Sequence, residues 1–106
     1  MNVKFYVPSK DNKGILLTES VRNSSLHSVA TTLARKFGGA TSTNGIGMFL
    51  SNTGDIIEEH VQILTSNVKR ISLKDKREIR TLAQEVKKNL RQESIMIEFN
   101  DKAEFI

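Results

Sequence analysis

Phe37-Gly38-Gly39-Ala40-Thr41-Ser42-Thr43-Asn44-Gly45-Ile46-Gly47 holds four of the chain's six glycines and separates a helical stretch from a run that reads as a β-hairpin. Glycines concentrated in this way mark backbone that bends tightly or approaches something closely. Upstream, Leu26, Val29, Ala30, Leu33, Ala34 and Phe37 recur at the spacing of one helix stripe. Asn23-Ser24-Ser25 supplies N-cap oxygens for that helix, and Gly38-Gly39 supplies its left-handed stop. Downstream, Met48-Phe49-Leu50, the turn Ser51-Asn52-Thr53-Gly54-Asp55 and the run Ile56 to Leu64 carry a hairpin signature. A helix followed at once by two paired strands is the arrangement from which the rest of the fold is read.

Working outward, Val3, Phe5 and Val7 alternate with Lys4 and Tyr6 as a half-buried strand requires, and Pro8 ends the ladder by removing a donor. Asp11-Asn12-Lys13-Gly14 is a turn, after which Ile15 to Thr18 forms either a short strand or an apolar loop on the core. Ser72 caps a second helix whose buried stripe is Ile79, Leu82, Ala83, Val86 and Leu90, with Asp75 and Glu78 suited to its positive end. Ile95 to Phe99 is another strand, and Ala103 to Ile106 pairs back on it across the Asn100-Asp101-Lys102 turn. The order β, α, β, β, α, β predicts a single α+β domain over residues 1–106. Its plan is the ferredoxin-like split βαβ, an antiparallel sheet with two helices on one face. In the strand after the hairpin turn, Ile57, Glu59, Val61 and Ile63 share one face and Glu58, His60 and Gln62 the other. Glu59 on the apolar side implies a position at the sheet margin or a bulge that shifts the phase.

With 106 residues, the chain is long enough for a modest core without covalent staples. It has no cysteine, which excludes disulfides, thiolate nucleophiles and zinc-thiolate sites. No apolar run approaches a membrane span, and the N-terminal stretch lacks the apolar core of a signal peptide, so cytoplasmic residence and no membrane partner are expected. Charge is unevenly placed: residues 69–91 carry nine basic side chains against Asp75, Glu78 and Glu85, a net of +6 in a chain whose total is +4. A basic helix on a slightly acidic body attracts phosphates, or is simply a solvated face with internal ion pairs.

Within the glycine run, no Gly-Lys-Ser/Thr follows, and the glycines close a helix rather than open one, so the segment is not a phosphate-cradling loop. Its polar middle, Thr41, Ser42, Thr43 and Asn44, is the candidate ligand surface at the end of the sheet. Arg77 and Arg80 of the second helix, or cations of a neighbouring subunit, are the anion contacts. Glu58 and His60 share a strand face and are the candidate acid/base pair, but exposed polar residues on a solvated face are the favoured account of them. His27 and His60 stand far apart in the sequence and define no metal site. No nucleophile-base set and no nucleophile elbow is present, so no catalytic residue and no cofactor is assigned. Tyr6 and Phe49 are the only candidates for a base-stacking platform, too few for an RNA-recognition sheet.

At Phe37-Gly38-Gly39-Ala40-Thr41, Gly45-Ile46-Gly47-Met48, Gly54-Asp55-Ile56-Ile57-Glu58-Glu59 and Gln92-Glu93-Ser94-Ile95, the chain resembles a family of small bacterial and mobile-element domains of unknown function. The likeness covers roughly residues 30–100 and departs from the family pattern at Met48, where an aromatic is usual. It implies a ferredoxin-like fold and brings no activity. The reading that follows is a non-enzymatic, homo-oligomeric binding module, of the kind phages and plasmids use to sequester a nucleotide-type ligand or block a host protein. Its terminal strand with Phe105-Ile106 is the edge for pairing between subunits. Two alternatives stand beside it: nucleic-acid binding through Arg77, Arg80, Lys87 and Lys88, and a small phosphoester hydrolase using Glu58, His60 and the Thr/Ser loop Thr41–Asn44.

Overall fold

The computed structural model describes residues 1–50 and 53–106. Its elements are β1 (Asn2–Pro8), α1 (Glu19–Phe37), β2 (Thr41–Leu50), β3 (Ile56–Asn67), α2 (Leu73–Asn89), β4 (Met96–Phe99) and β5 (Lys102–Phe105). The five strands form one sheet in the order β2-β3-β1-β4-β5, with every pairing antiparallel. This is the split βαβ plan, extended at one edge by the terminal strand.

The alternation in β1 places Val3, Phe5 and Val7 beneath the helices, where all three are buried. They meet Val29 and Leu33 of α1, Ile79, Ala83 and Val86 of α2, and Ile97 and Phe99 of β4 in one apolar core. Ser72 caps α2 as expected, its hydroxyl accepting from the Asp75 N–H at 3.0 Å. Asn100 and Asp101 both take positive φ, 50° and 67°, which is the geometry of a two-residue hairpin turn joining β4 to β5. Between the helices, Lys36 of α1 reaches both Asp75 and Glu78 of α2.

Two expectations are corrected, and the choice left open for Ile15–Thr18 is decided. Helix α1 begins at Glu19, capped by Thr18, rather than after Asn23-Ser24-Ser25; Ser25 instead lies buried on its inner face. The Ile15–Thr18 stretch is a loop: Lys10 and Leu16 make one isolated bridge, and Leu17 anchors it in the core. Thr41 to Asn44 are not a loop but the first four residues of β2, paired with Thr65, Leu64, Ile63 and Gln62. The hairpin therefore runs much further than its turn suggests, and Ser51-Asn52 of that turn lie outside the described residues.

Ten register pairs join β2 and β3, whereas β1 accompanies β3 only as far as Val61. The pairs from Ile46↔His60 to Leu50↔Ile56 thus overhang the body as a two-stranded arm of roughly 17 Å. The register is continuous, so no bulge is present, and Glu59 sits at the margin, just past the last β1 pair. Its carboxylate accepts the N–H groups of Ser9 and Lys10 at 3.1 and 2.8 Å, where β1 leaves the ladder.

Gly38 holds the αL position after α1, with φ 91° and its N–H bonded to the Ala34 carbonyl. Gly39 is not in the positive-φ region and has open space around it. Gly38→Ala is expected to cost about 1 kcal/mol, whereas Gly39→Ala leaves stability nearly unchanged; thermal unfolding of the two variants side by side checks this.

Candidate functional site

Strand alternation divides the candidate ligand residues. Ser42 and Asn44 point to the helix side of the sheet in register with Leu64 and Gln62, while Thr41 and Thr43 lie on the open side, opposite Thr65 and Ile63. On the helix side the polar groups form a relay. Arg22 of α1 donates to the Gln62 side-chain oxygen at 3.2 Å, and the Gln62 amide nitrogen donates to the Ser42 hydroxyl at 3.1 Å. The notch they border, with Asn44, His60, Val61 and Val7, is only about 30 Å³. That volume holds a water, not a nucleotide. Sequence reasoning missed Arg22 and Gln62, because nothing local links a residue of the first helical turn to a strand 40 positions later.

Arg77 and Arg80 do not join this group within one chain. Helix α2 packs against β4, and three strand spacings, roughly 14 Å, separate β4 from β2. Arg80 is also engaged: its guanidinium makes a two-pronged pair with Glu104 of β5 at 2.8 and 2.9 Å and lies 5.5 Å from the Phe99 ring centre. The Arg80 hydrogen bond holds the Glu104 carboxyl below the usual range. Arg77 is exposed.

Glu58 and His60 share the helix-side face, as their spacing predicts, and both are exposed. Tyr6 lies on the open face, where its hydroxyl donates to Glu98 at 2.8 Å. Burial first, and then this carboxylate, push its pKa up to about 12, so it serves as a donor and not as a base. Phe49 shares that face but sits six register positions further along, roughly 20 Å away, so the two rings build no stacking platform. Among the described residues no group of three metal-ligating side chains converges, and no helix is long and apolar enough to cross a membrane.

Two of the sequence motifs converge at Lys10, a meeting that nothing in their spacing announces. Glu59 holds the Lys10 N–H, and the Gln92 side-chain amide donates to the Lys10 carbonyl at 2.6 Å and to the Leu90 carbonyl at 2.9 Å. Asp11, its side chain only 5% exposed, accepts from the Lys13 and Ile15 N–H groups at 2.9 Å and from Arg91 at 3.4 Å. The loop after β1 is therefore fastened from both sides of the sheet. Beside it, Asn12, Gln84, Lys87, Lys88, Arg91, Gln92 and Ile106 line a cleft of about 380 Å³.

No family model matches the chain, and no curated protein does. Solved structures do. A phage SAM lyase in complex with S-methyl-5′-thioadenosine superposes with a TM-score of 0.67 at 16% identity, over 99% of this chain and 87% of that one. A phage SAM lyase in its apo state gives 0.57 at 20% identity, over 98% and 78%. At such identities the likeness is one of fold, and it spans the whole chain, arm and terminal strand included.

The Ile15 N–H bond first, then those of Lys13 and Arg91, outweigh burial and hold the Asp11 carboxyl below its ordinary range. A depressed carboxyl stabilises the fold fully above its unfolded pKa of ~3.9, and that contribution is lost as pH falls through the lower folded value. Asp11→Asn should therefore lower the melting temperature at pH 7, and the gap to the parent should narrow below about pH 4. Thermal melts across pH 2–7 would measure it; a gap independent of pH would contradict the assignment.

Proposed function

We propose that this chain is a phage-type accessory protein that binds an adenine-nucleoside ligand as a homo-oligomer. The observation that carries the reading is the nucleoside held by a phage protein whose fold matches 99% of this chain. The ligand site proposed is the β2 surface of Ser42 and Asn44 with Arg22, Gln62 and His60, flanked by Thr41 and Thr43. In one copy its notch is water-sized. A second copy is needed to enclose a nucleoside there, and Arg77 or Arg80 reach it only from such a copy.

The arm supports oligomerisation. Ile46, Met48, Leu50 and Ile56 project on one of its faces and Phe49 and Ile57 on the other, all between 46% and 73% exposed. An isolated two-stranded ribbon is marginal in water, and an apolar one on a free sheet edge invites pairing. Phe105, 70% exposed on the other edge strand, adds a smaller patch. Light scattering after gel filtration should report an oligomer, and Leu50→Lys with Ile56→Lys should shift it toward monomer while the far-ultraviolet dichroism stays unchanged. A monomeric parent would count against the oligomer.

Titration calorimetry with S-methyl-5′-thioadenosine, SAM and adenosine tests the ligand. Binding is expected, weakened about tenfold by Asn44→Ala or Gln62→Ala through loss of one or two hydrogen bonds. Absence of heat with all three compounds would remove the reading. Chromatography of the titrated mixture separates binding from a second reading, prompted by the neighbour being a lyase: SAM recovered intact is sequestration, and SAM converted to S-methyl-5′-thioadenosine is turnover.

A further inference from the structure

The cleft at the far end of α2 lies apart from the β2 surface, and its charged lining is basic. Helix α2 ends in a closed hydrogen-bond pattern: the Gln92 N–H bonds to the Lys87 carbonyl at 2.9 Å and the Arg91 N–H to the Lys88 carbonyl at 3.2 Å. This is the Schellman arrangement, in which the last carbonyls are satisfied by backbone alone. Basic side chains at a helix C-terminus usually find their purpose in those carbonyls and in the negative end of the helix dipole. Here the carbonyls of Val86, Lys87 and Lys88 already have partners. Among the described residues neither Lys87 nor Lys88 has an acidic partner, and no acidic side chain lines the cleft.

The residue in the left-handed position of that motif is a second peculiarity. Arg91 has φ 50°, where glycine is the residue of least cost. An arginine kept there presents a guanidinium at the mouth of the cleft, and its one ion pair, to Asp11, is long at 3.4 Å. Asn12 and Gln84 add amide groups to the wall. Three cations and three amide side chains around about 380 Å³ fall within the size range of small-molecule pockets and exceed what inorganic phosphate fills.

We infer that Lys87, Lys88 and Arg91 form a binding site for an organic phosphate of mononucleotide size, distinct from the β2 surface and independent of the ligand proposed there. A nucleic-acid backbone is the less favoured source of the phosphate. Tracking a strand needs a continuous basic stripe. Along α2, Lys74 is drawn to Glu78 and Arg80 to Glu104, and the exposed Arg77 does not line the cleft, so among the described residues the cations gathered in that concavity are Lys87, Lys88 and Arg91.

The test uses calorimetry on the full chain with pyrophosphate, AMP, unphosphorylated adenosine and a short DNA duplex as probes. Pyrophosphate should bind one per chain, and AMP should occupy this site in addition to any nucleoside site on the β2 surface. Their affinity should fall about tenfold or more in Lys87→Gln/Lys88→Gln and in Arg91→Gly, since charge-assisted hydrogen bonds are lost. Arg91→Gly is the informative variant: glycine relieves the left-handed backbone, and Asp11 keeps its Lys13 and Ile15 N–H bonds when the long pair to Arg91 is lost, so folding stability should stay near that of the parent. Asn44→Ala and Gln62→Ala should leave the AMP affinity of this site unchanged, which separates its fate from that of the β2 reading. Absence of binding by both phosphates at millimolar concentration, or affinity unaltered in both basic variants, would overturn the proposal. Binding of the duplex alone, with a steep salt dependence, would overturn it in favour of nucleic acid.

Discussion

Strand β1 is the constraint on which the rest of the structure depends. It is paired on both edges, with β3 and with β4, and Val3, Phe5 and Val7 are at most 1% exposed beneath the helices. A strand in that position tolerates neither a register slip, which would turn those three side chains out of the core, nor an extension past Pro8, which has no N–H to donate. Its length therefore fixes where the flanking strands lose their support. β3 continues for five further residues beyond the last β1 pair, and the arm exists because β1 stops.

The end of β1 also explains why two distant acceptors and donors meet at one residue. A chain leaving a central position strands backbone groups that buried surroundings penalise. Glu59 and Gln92 take up those of Ser9 and Lys10. The Glu59 that disturbs the apolar alternation of β3 is thus a substitute for ladder acceptors. Its apparent misplacement in the sequence follows from its position two residues past the supported part of the sheet.

What could be read from the sequence was what local chemistry determines. The Ser72 cap, the stripe of α2, the Gly38 stop and the terminal hairpin all depend on residues within a turn or two of one another. The core face of β1 was equally plain, since a period of two needs no knowledge of partners. What escaped was set at a distance. Thr41 to Asn44 read as a loop because four polar residues lie between glycines. They are a strand because Thr65 to Gln62 offer them a continuous ladder, and β-branched Thr41 and Thr43 suit it. Taking them for a loop made one site of residues that the pleat sends to opposite faces. Only their partners, Arg22 and Gln62, reveal which face is the polar notch.

The excess of basic charge on α2 likewise divides on structural grounds. At its first turns and middle, Asp75 and Glu78 meet Lys36, Glu104 meets Arg80, and Lys76 and Arg80 lie within 6 Å of the Phe99 ring centre, so much of that charge holds helix to helix and helix to sheet. Toward its end, among the described residues, no ion pair joins Lys87 or Lys88 to a carboxylate, and the backbone cap is already complete. A charge whose neighbours neither neutralise it nor need it for capping contributes little to the fold; Arg91 has Asp11, but the neighbouring Lys87 and Lys88 charges repel one another. Their juxtaposition beside a cleft costs stability unless an anion relieves it. The same logic applies to the arm, where apolar side chains on both faces of a thin ribbon remain a cost until something covers them. The fold is complete at its centre and unfinished at its two extremities, and those are the places where its binding chemistry is to be sought.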